Sequence, residues 1–179
     1  MTDTVTVLEG GRPLEFGYED ALRYHGPGFP GGVAHGYCAV RHALALLGAD
    51  GAAGGGLVER REVSVRTAFP GPGGRDAVEL LLRAVTDGRY EVDPALAEPE
   101  RGPVLARYVW EFTHRGRTVR LHLRDDGLVT EEFIALGART DRSPAEDARL
   151  EVLKTEMAER LLARPVEGVY EEIATEGAR

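Results

Sequence analysis

The chain has 179 residues, of which 42% are hydrophobic and 29% charged, and its formal net charge is −8. This length fits one domain with a sizeable core, and the acidic balance argues against a nucleic-acid-binding protein. Cys38 is the only cysteine, which excludes an intramolecular disulfide and agrees with a reducing compartment.

The first half of the chain predicts short elements separated by turns rich in glycine and proline. A weakly alternating strand over residues 4–8 precedes a brief helix over 18–24, which the glycines and prolines of 26–32 terminate. The following elements are a helix over 33–47, a glycine-rich loop over 48–56, a strand over 59–69, a helix over 75–85 and a short strand over 89–92.

The second half predicts one hairpin and a long helix. Residues 104–112 and 118–124 are β-branched and aromatic, with a turn at 114–117 between them. A short helix over 130–136 follows, and then the capping box Ser143-Pro144-Ala145-Glu146 starts a helix with one apolar stripe. That stripe consists of Leu150, Leu153, Met157 and Leu161. The whole pattern predicts a single α+β domain over residues 1–179, with an antiparallel sheet packed against several helices.

The helix predicted over residues 33–47 is apolar on most sides. On a helical wheel, His35, Cys38 and His42 lie together on one face. The opposite face consists of Val33, Tyr37, Val40, Leu44 and Leu47. Such a helix is expected to be largely buried, and its two imidazoles and its thiol then need partners.

With His25 just upstream, three of the five histidines and the cysteine fall within 18 residues. One interpretation is a shared site, either a metal cluster of His25, His35, Cys38 and His42 or a Cys38 thiolate activated by a neighbouring imidazole. The alternative is that the histidines bond to backbone or carboxylate groups and that Cys38 is a small core residue. We expect the four residues to converge on one cavity, with Asp76 near its wall.

The glycines before this helix also have two interpretations. Residues 26–31 match the pattern G-x-G-x-x-G, but they follow a helical segment instead of a strand, which argues against a dinucleotide site. Gly31 and Gly32, with the first helical N–H groups, could instead receive the carboxylate or other anionic group of a cofactor. The alternative is that they let the chain turn sharply and two helices approach closely.

Two motifs carry a resemblance to a known family. His25-Gly26-Pro27-Gly28-Phe29-Pro30-Gly31, followed by Gly36-Tyr37, resembles the His-Gly-His-x-Cys-Pro-Gly motif in the family of E-type subunits of formylmethanofuran dehydrogenase. Gly73-Gly74-Arg75-Asp76-Ala77 is similar to the family's Cys-x-x-Asp-Ala. By this resemblance the chain is a divergent member, because Phe29 and Gly73 stand at the cysteine positions. The resemblance implies an α+β core, a pocket at these motifs and zinc binding, without a C-terminal zinc finger.

The functional hypothesis is a small-molecule metabolic enzyme using acid/base or metal-assisted chemistry. His25 or His42 would be the general acid or base, since imidazole titrates near neutral pH. Cys38 would be a nucleophile or metal ligand, and Asp76 would orient a histidine or begin the second helix. The alternatives are a zinc- or haem-binding module without chemistry and an accessory subunit. Zinc and haem are the candidate cofactors, with no cofactor as the alternative; we expect any bound metal to be functional and the fold to survive without it.

The expected partner is a small-molecule substrate, with no nucleic acid and no membrane; a homodimer is compatible with the sequence. Residues 1–10 show no signal-peptide pattern, and the stretch over 26–47 is too interrupted by polar and turn residues for a membrane span. We therefore expect a cytoplasmic protein.

Overall fold

The computed structural model describes residues 4–49 and 56–174, which form an α+β fold. The strands are β1 (Val5–Glu9), β2 (Arg12–Phe16), β3 (Val63–Thr67), β4 (Tyr90–Val92), β5 (Val109–His114), β6 (Arg117–Leu123) and β7 (Tyr170–Ile173). The α-helices are α1 (Tyr18–His25), α2 (Pro30–Ala49), α3 (Pro72–Leu82), α4 (Gly102–Leu105), α5 (Glu131–Ala138) and α6 (Pro144–Leu162).

The main sheet has five strands in the order β4-β3-β5-β6-β7. The pairs β3–β5, β5–β6 and β6–β7 are antiparallel, whereas β4 runs parallel to β3. A parallel pair needs a crossover connection, and α3 supplies it here. The predicted α+β class is confirmed, and the sheet is antiparallel as expected except at the β4 edge, which makes it mixed. β1 and β2 form a separate antiparallel hairpin.

The predicted hairpin is present as β5–β6. Its turn residues, Arg115 and Gly116, have φ angles of 49° and 83°. A two-residue type I′ turn requires positive φ at both positions, and its twist matches that of the flanking strands. Trp110 pairs with Leu121 across the strands, and all of the Trp110 side chain is buried. The first strand begins only at Val109, because the segment predicted to start it forms the short helix α4.

The helix predicted from the capping box is α6. The Ser143 hydroxyl accepts a hydrogen bond from the Glu146 N–H at 3.3 Å, and the Glu146 carboxylate accepts one from the Ser143 N–H at 2.8 Å. The four residues of the predicted stripe are buried. The sequence prediction is confirmed for this element.

Helix α2 lies at the centre of the fold. It begins at Pro30, three residues before the predicted start, and every residue from Val33 to Leu44 is buried. It packs against α3, α6 and the main sheet. The helix continues to Ala49, into the predicted glycine loop, and positions 50–55 of that loop lie outside the described residues. No helix within the described ranges has the length and apolarity needed to cross a membrane.

Candidate functional site

His25 and Asp76 form the polar pair that both sequence motifs contribute. His25 is the last residue of α1, and its Nδ1 atom lies 2.7 Å from Oδ2 of Asp76 in α3. The second carboxylate oxygen of Asp76 accepts a hydrogen bond from Arg75 at 3.1 Å. Because a carboxylate oxygen accepts hydrogen bonds, Nδ1 is the donor, and in the neutral form of the ring the lone pair lies on Nε2.

The Nε2 atom of His25 is the reactive end of this pair. Within residues 4–49 and 56–174 it has no hydrogen-bond partner, and it is not among the atoms closed off from solvent. The His25 side chain is 9% exposed and that of Asp76 is 23% exposed. A largely buried carboxylate–imidazole pair with an accessible ring nitrogen can accept and return a proton. Asp76 is not a helix cap, since α3 begins at Pro72.

Beside this pair lies a cleft with a cavity volume of about 780 Å³. It is bounded by the start of α2, the turn before α3, the segment through α4, and helices α5 and α6. Its walls are mostly aromatic and aliphatic, and they include Phe29, Phe69, Tyr108, Phe133, Ile134 and Met157. Phe29 also contacts the imidazole of His25, with ring centroids 5.9 Å apart. This volume and lining are typical of a small-molecule site.

Two cationic side chains line the cleft, Arg107 and Lys154. The Lys154 ammonium lies 4.4 Å from the Phe29 ring centroid and donates to the Gly28 carbonyl at 3.2 Å. It also pairs with Glu151 at 2.6 Å. Neither cation was predicted from the sequence; the signal for Lys154 is that it is the only lysine in the chain.

His35 is a core residue. It is fully buried, its ring packs at a tilt against Tyr108 with centroids 4.4 Å apart, and its Nδ1 lies 2.8 Å from the Tyr170 hydroxyl. Burial lowers the pKa of His35 to about 3, so the ring is neutral at physiological pH. Its Nε2 is buried without a partner among the described residues.

Cys38 and His42 also lie in the core. The Cys38 sulfur is 4.0 Å from the main-chain oxygen of Leu161, and burial raises the thiol pKa to about 11. Burial likewise lowers the pKa of His42, an effect that the nearby Glu167 partly opposes. A buried, protonated thiol is a poor nucleophile and a poor metal ligand.

The structure therefore brings His25 and Asp76 together, but it does not bring His35, Cys38 and His42 to them. In residues 4–49 and 56–174, no group of three histidine, cysteine, aspartate or glutamate side chains is placed to hold a metal ion. The residues present consequently do not fit the zinc site that the resemblance implies. Among the described residues that line the cleft there is no histidine or cysteine.

The glycines around α2 serve close packing. A Cβ on Gly31 would lie 2.2 Å from the terminal carbon of Met157, and one on Gly36 would lie 2.6 Å from the Gly74 carbonyl oxygen. Gly32 faces the Cα of Gly73 and borders the cleft. These contacts match the interpretation in which glycine lets two helices approach closely. The hypothesis of a cofactor's anionic group at Gly31 and Gly32 gains no support from them.

No protein-family model, curated protein sequence or solved structure is significantly similar to this chain. The resemblance to the formylmethanofuran dehydrogenase family therefore stays a prediction made from two short motifs.

Proposed function

We propose that this chain is a small-molecule enzyme that transfers protons, with His25 as general base and acid and the neighbouring cleft as the substrate site. The observation that carries the proposal is the hydrogen bond between His25 and Asp76, because it orients the imidazole and leaves Nε2 accessible. Phe29 connects the two parts, since its ring contacts His25 and lines the cleft.

In the proposed reaction, a C–H group next to a substrate carbonyl loses its proton to Nε2 of His25. The electron pair of that bond moves to the carbonyl oxygen, which gives an enolate. The Asp76 carboxylate stabilises the imidazolium, and the Lys154 ammonium beside Phe29 stabilises the enolate charge. His25 then returns the proton to carbon or exchanges it with water, so neither an oxidant nor a reductant is consumed.

Two parts of the sequence hypothesis are left out of this proposal for physical reasons. Cys38 is not assigned as a nucleophile, because its thiol is fully buried and its pKa is raised to about 11. A metal-assisted step is not assigned, because the described residues contain no three-ligand group that could position the ion.

Proton transfer can be tested without knowledge of the natural substrate. The purified protein is incubated in D₂O with 4-phenylbutan-2-one or phenylpyruvate, and deuterium uptake next to the carbonyl is followed by NMR above the buffer rate. We expect catalysed exchange that falls about a hundredfold or more in His25→Gln, with a clear loss in Asp76→Asn. His114→Gln is the matched control, because His114 lies at the end of β5 in the hairpin and pairs there with Glu62. Exchange that survives in His25→Gln would contradict the assignment.

The second candidate function is a small-molecule binding module without chemistry. One observation favours it, namely that His25 contacts the cleft through Phe29 and is not itself a lining residue. Compounds that bind in the cleft while none undergoes catalysed exchange would support this second function over the first.

A further inference from the structure

The charge of the cleft is opposite to that of the chain. The formal net charge of the protein is −8, yet the described residues that line the cleft include no aspartate or glutamate, and the charged ones are Arg107 and Lys154. A concave apolar surface with one sign of charge concentrates ligands of the opposite sign. The lining is therefore suited to an anion, whereas the surface as a whole repels one.

The two cations differ in whether they already have hydrogen-bond or ion-pair partners within the protein. Lys154 is held by the Gly28 carbonyl and by the Glu151 carboxylate. Arg107 is exposed and forms neither a hydrogen bond nor an ion pair with any residue in the ranges 4–49 and 56–174. Its planar guanidinium can donate two parallel hydrogen bonds to one carboxylate. Arg107 is thus the group that has binding capacity to spare.

The uncharged residues of the lining indicate what the uncharged part of the ligand should be. Phe29, Phe69, Tyr108 and Phe133 make the lining strongly aromatic, and aromatic side chains pack favourably with a flat ring system. Four prolines of the lining have no backbone N–H to offer to polar ligand atoms; they are Pro70, Pro72, Pro99 and Pro103. A cavity of about 780 Å³ has room for a two-ring molecule.

From these contacts we propose that the cleft binds an aromatic monocarboxylate, with its rings between the aromatic walls and its carboxylate on Arg107. The inference rests on the proposed function for the location of the substrate and adds its chemical class. A phosphate ester would carry about two charges and several acceptor oxygens. The proline-rich lining offers one unpaired guanidinium to meet them, so a carboxylate is the better match.

The test uses two probes of nearly equal shape, 2-naphthylacetate and its neutral amide, 2-naphthylacetamide. Isothermal titration calorimetry measures both with the wild-type chain and with Arg107→Gln. We expect the wild type to bind the carboxylate at least tenfold more tightly than the amide. In Arg107→Gln this preference should disappear, while the affinity for the amide is unchanged. Arg107→Lys, which keeps the charge but loses the two-pronged geometry, should retain part of the preference.

Arg12→Gln is the matched control, because Arg12 is also exposed and lies on β2 away from the cleft lining. It should bind both probes as the wild type does. Equal binding of the two probes by the wild type, or a preference that survives in Arg107→Gln, would overturn the inference.

The outcome is separable from that of the proposed function. Calorimetry measures binding of 2-naphthylacetate without turnover, whereas deuterium exchange measures proton transfer. Arg107-dependent binding without catalysed deuterium exchange would leave the cleft assignment standing and remove the enzymatic role. Catalysed exchange without a carboxylate preference would support the enzymatic role and overturn the assignment of an aromatic monocarboxylate to the cleft.

Discussion

The imidazole of His35 and the hydroxyl of Tyr170, 135 positions apart in the chain, form a 2.8 Å hydrogen bond in the core. The indole N–H of Trp110 also donates to this hydroxyl at 3.2 Å. Because indole nitrogen can only donate, the Tyr170 oxygen accepts from Trp110 while the same hydroxyl bonds to His35 Nδ1. The other ring nitrogen of His35, Nε2, is buried without a partner among the described residues.

This arrangement predicts that acid destabilises the protein through His35. Its pKa is lowered to about 3 in the folded state, from an ordinary value near 6.5. The unfolded chain therefore binds a proton that the folded chain does not, and the free energy of unfolding falls as the pH drops from about 6.5 toward 3. Urea unfolding at pH 7.0 and pH 5.0 measures the effect, for which we expect a loss of roughly 1–2 kcal/mol over this interval.

His35→Phe provides the comparison, since it keeps an aromatic ring against Tyr108 but cannot titrate. It should be less stable at pH 7 because the Tyr170 hydroxyl loses its hydrogen bond to the imidazole. Its loss of stability between pH 7.0 and 5.0 should be smaller than that of the wild type. His42, whose pKa is also lowered by burial, contributes in the same direction and accounts for part of the remaining dependence. An unchanged pH dependence in His35→Phe would contradict the burial argument.

Cys38 is predicted to be unreactive in the folded protein. Its side chain is fully buried and its pKa is raised to about 11, so almost no thiolate forms at pH 8. Ellman's reagent should modify less than a tenth of the thiol in the time that complete modification takes in 6 M guanidinium chloride. Rapid modification without denaturant would contradict this prediction and support Cys38 as a nucleophile.

Local sequence signals predicted the elements that local interactions define. The capping box at Ser143 and the hairpin turn at Arg115-Gly116 each involve residues a few positions apart, and both were found. The parallel pairing of β3 with β4 was not predicted, because it depends on how the crossover packs and not on a local pattern.

Part of the candidate site was predicted from the sequence and part was not. His25 and Asp76 were predicted to lie near one another from two motifs, and they are in contact. The histidines of α2 were interpreted as part of a shared site, because a helical wheel shows a common face but not what covers it. That face is covered by α6 and β7, and the partner of His35 comes from Tyr170. The resemblance implied a pocket at the two motifs, and Phe29 and Gly73 do line the cleft, but the rest of its lining is scattered as far as Met157 and was not predicted.

The contact between α2 and α3 predicts a strong effect of one methyl group. An alanine Cβ at Gly36 would lie 2.6 Å from the carbonyl oxygen of Gly74 and 2.8 Å from its Cα, so backbone would have to move. We expect Gly36→Ala to lower the free energy of unfolding by about 1–3 kcal/mol, measured by urea titration.

Gly137→Ala is the matched control in α5, where an added Cβ meets no atom of the described residues within 4 Å. Because alanine favours helix more than glycine does, this variant should be as stable as the wild type or more stable by up to about 1 kcal/mol. Equal stabilities of the two alanine variants would show that the helices separate easily at Gly36.

Phe29 is the side chain that lies between His25 and the cleft. Its ring is 46% exposed and contacts both the His25 imidazole and the Lys154 ammonium. Removing the ring in Phe29→Ala should make His25 more accessible while changing the free energy of unfolding little, because the ring is only half-buried. Diethylpyrocarbonate, which acylates accessible neutral imidazole nitrogen, reports the change when peptide mass spectrometry follows each histidine separately. We expect His25 to be modified severalfold faster in Phe29→Ala than in the wild type, with the rate at His114 as the internal reference.

Phe29→Leu retains a bulky side chain at this position and should leave the rate at His25 close to that of the wild type. Equal rates in Phe29→Ala and Phe29→Leu would mean that the ring does not restrict access to His25, and the proposed route from the cleft to His25 would then not pass beside Phe29.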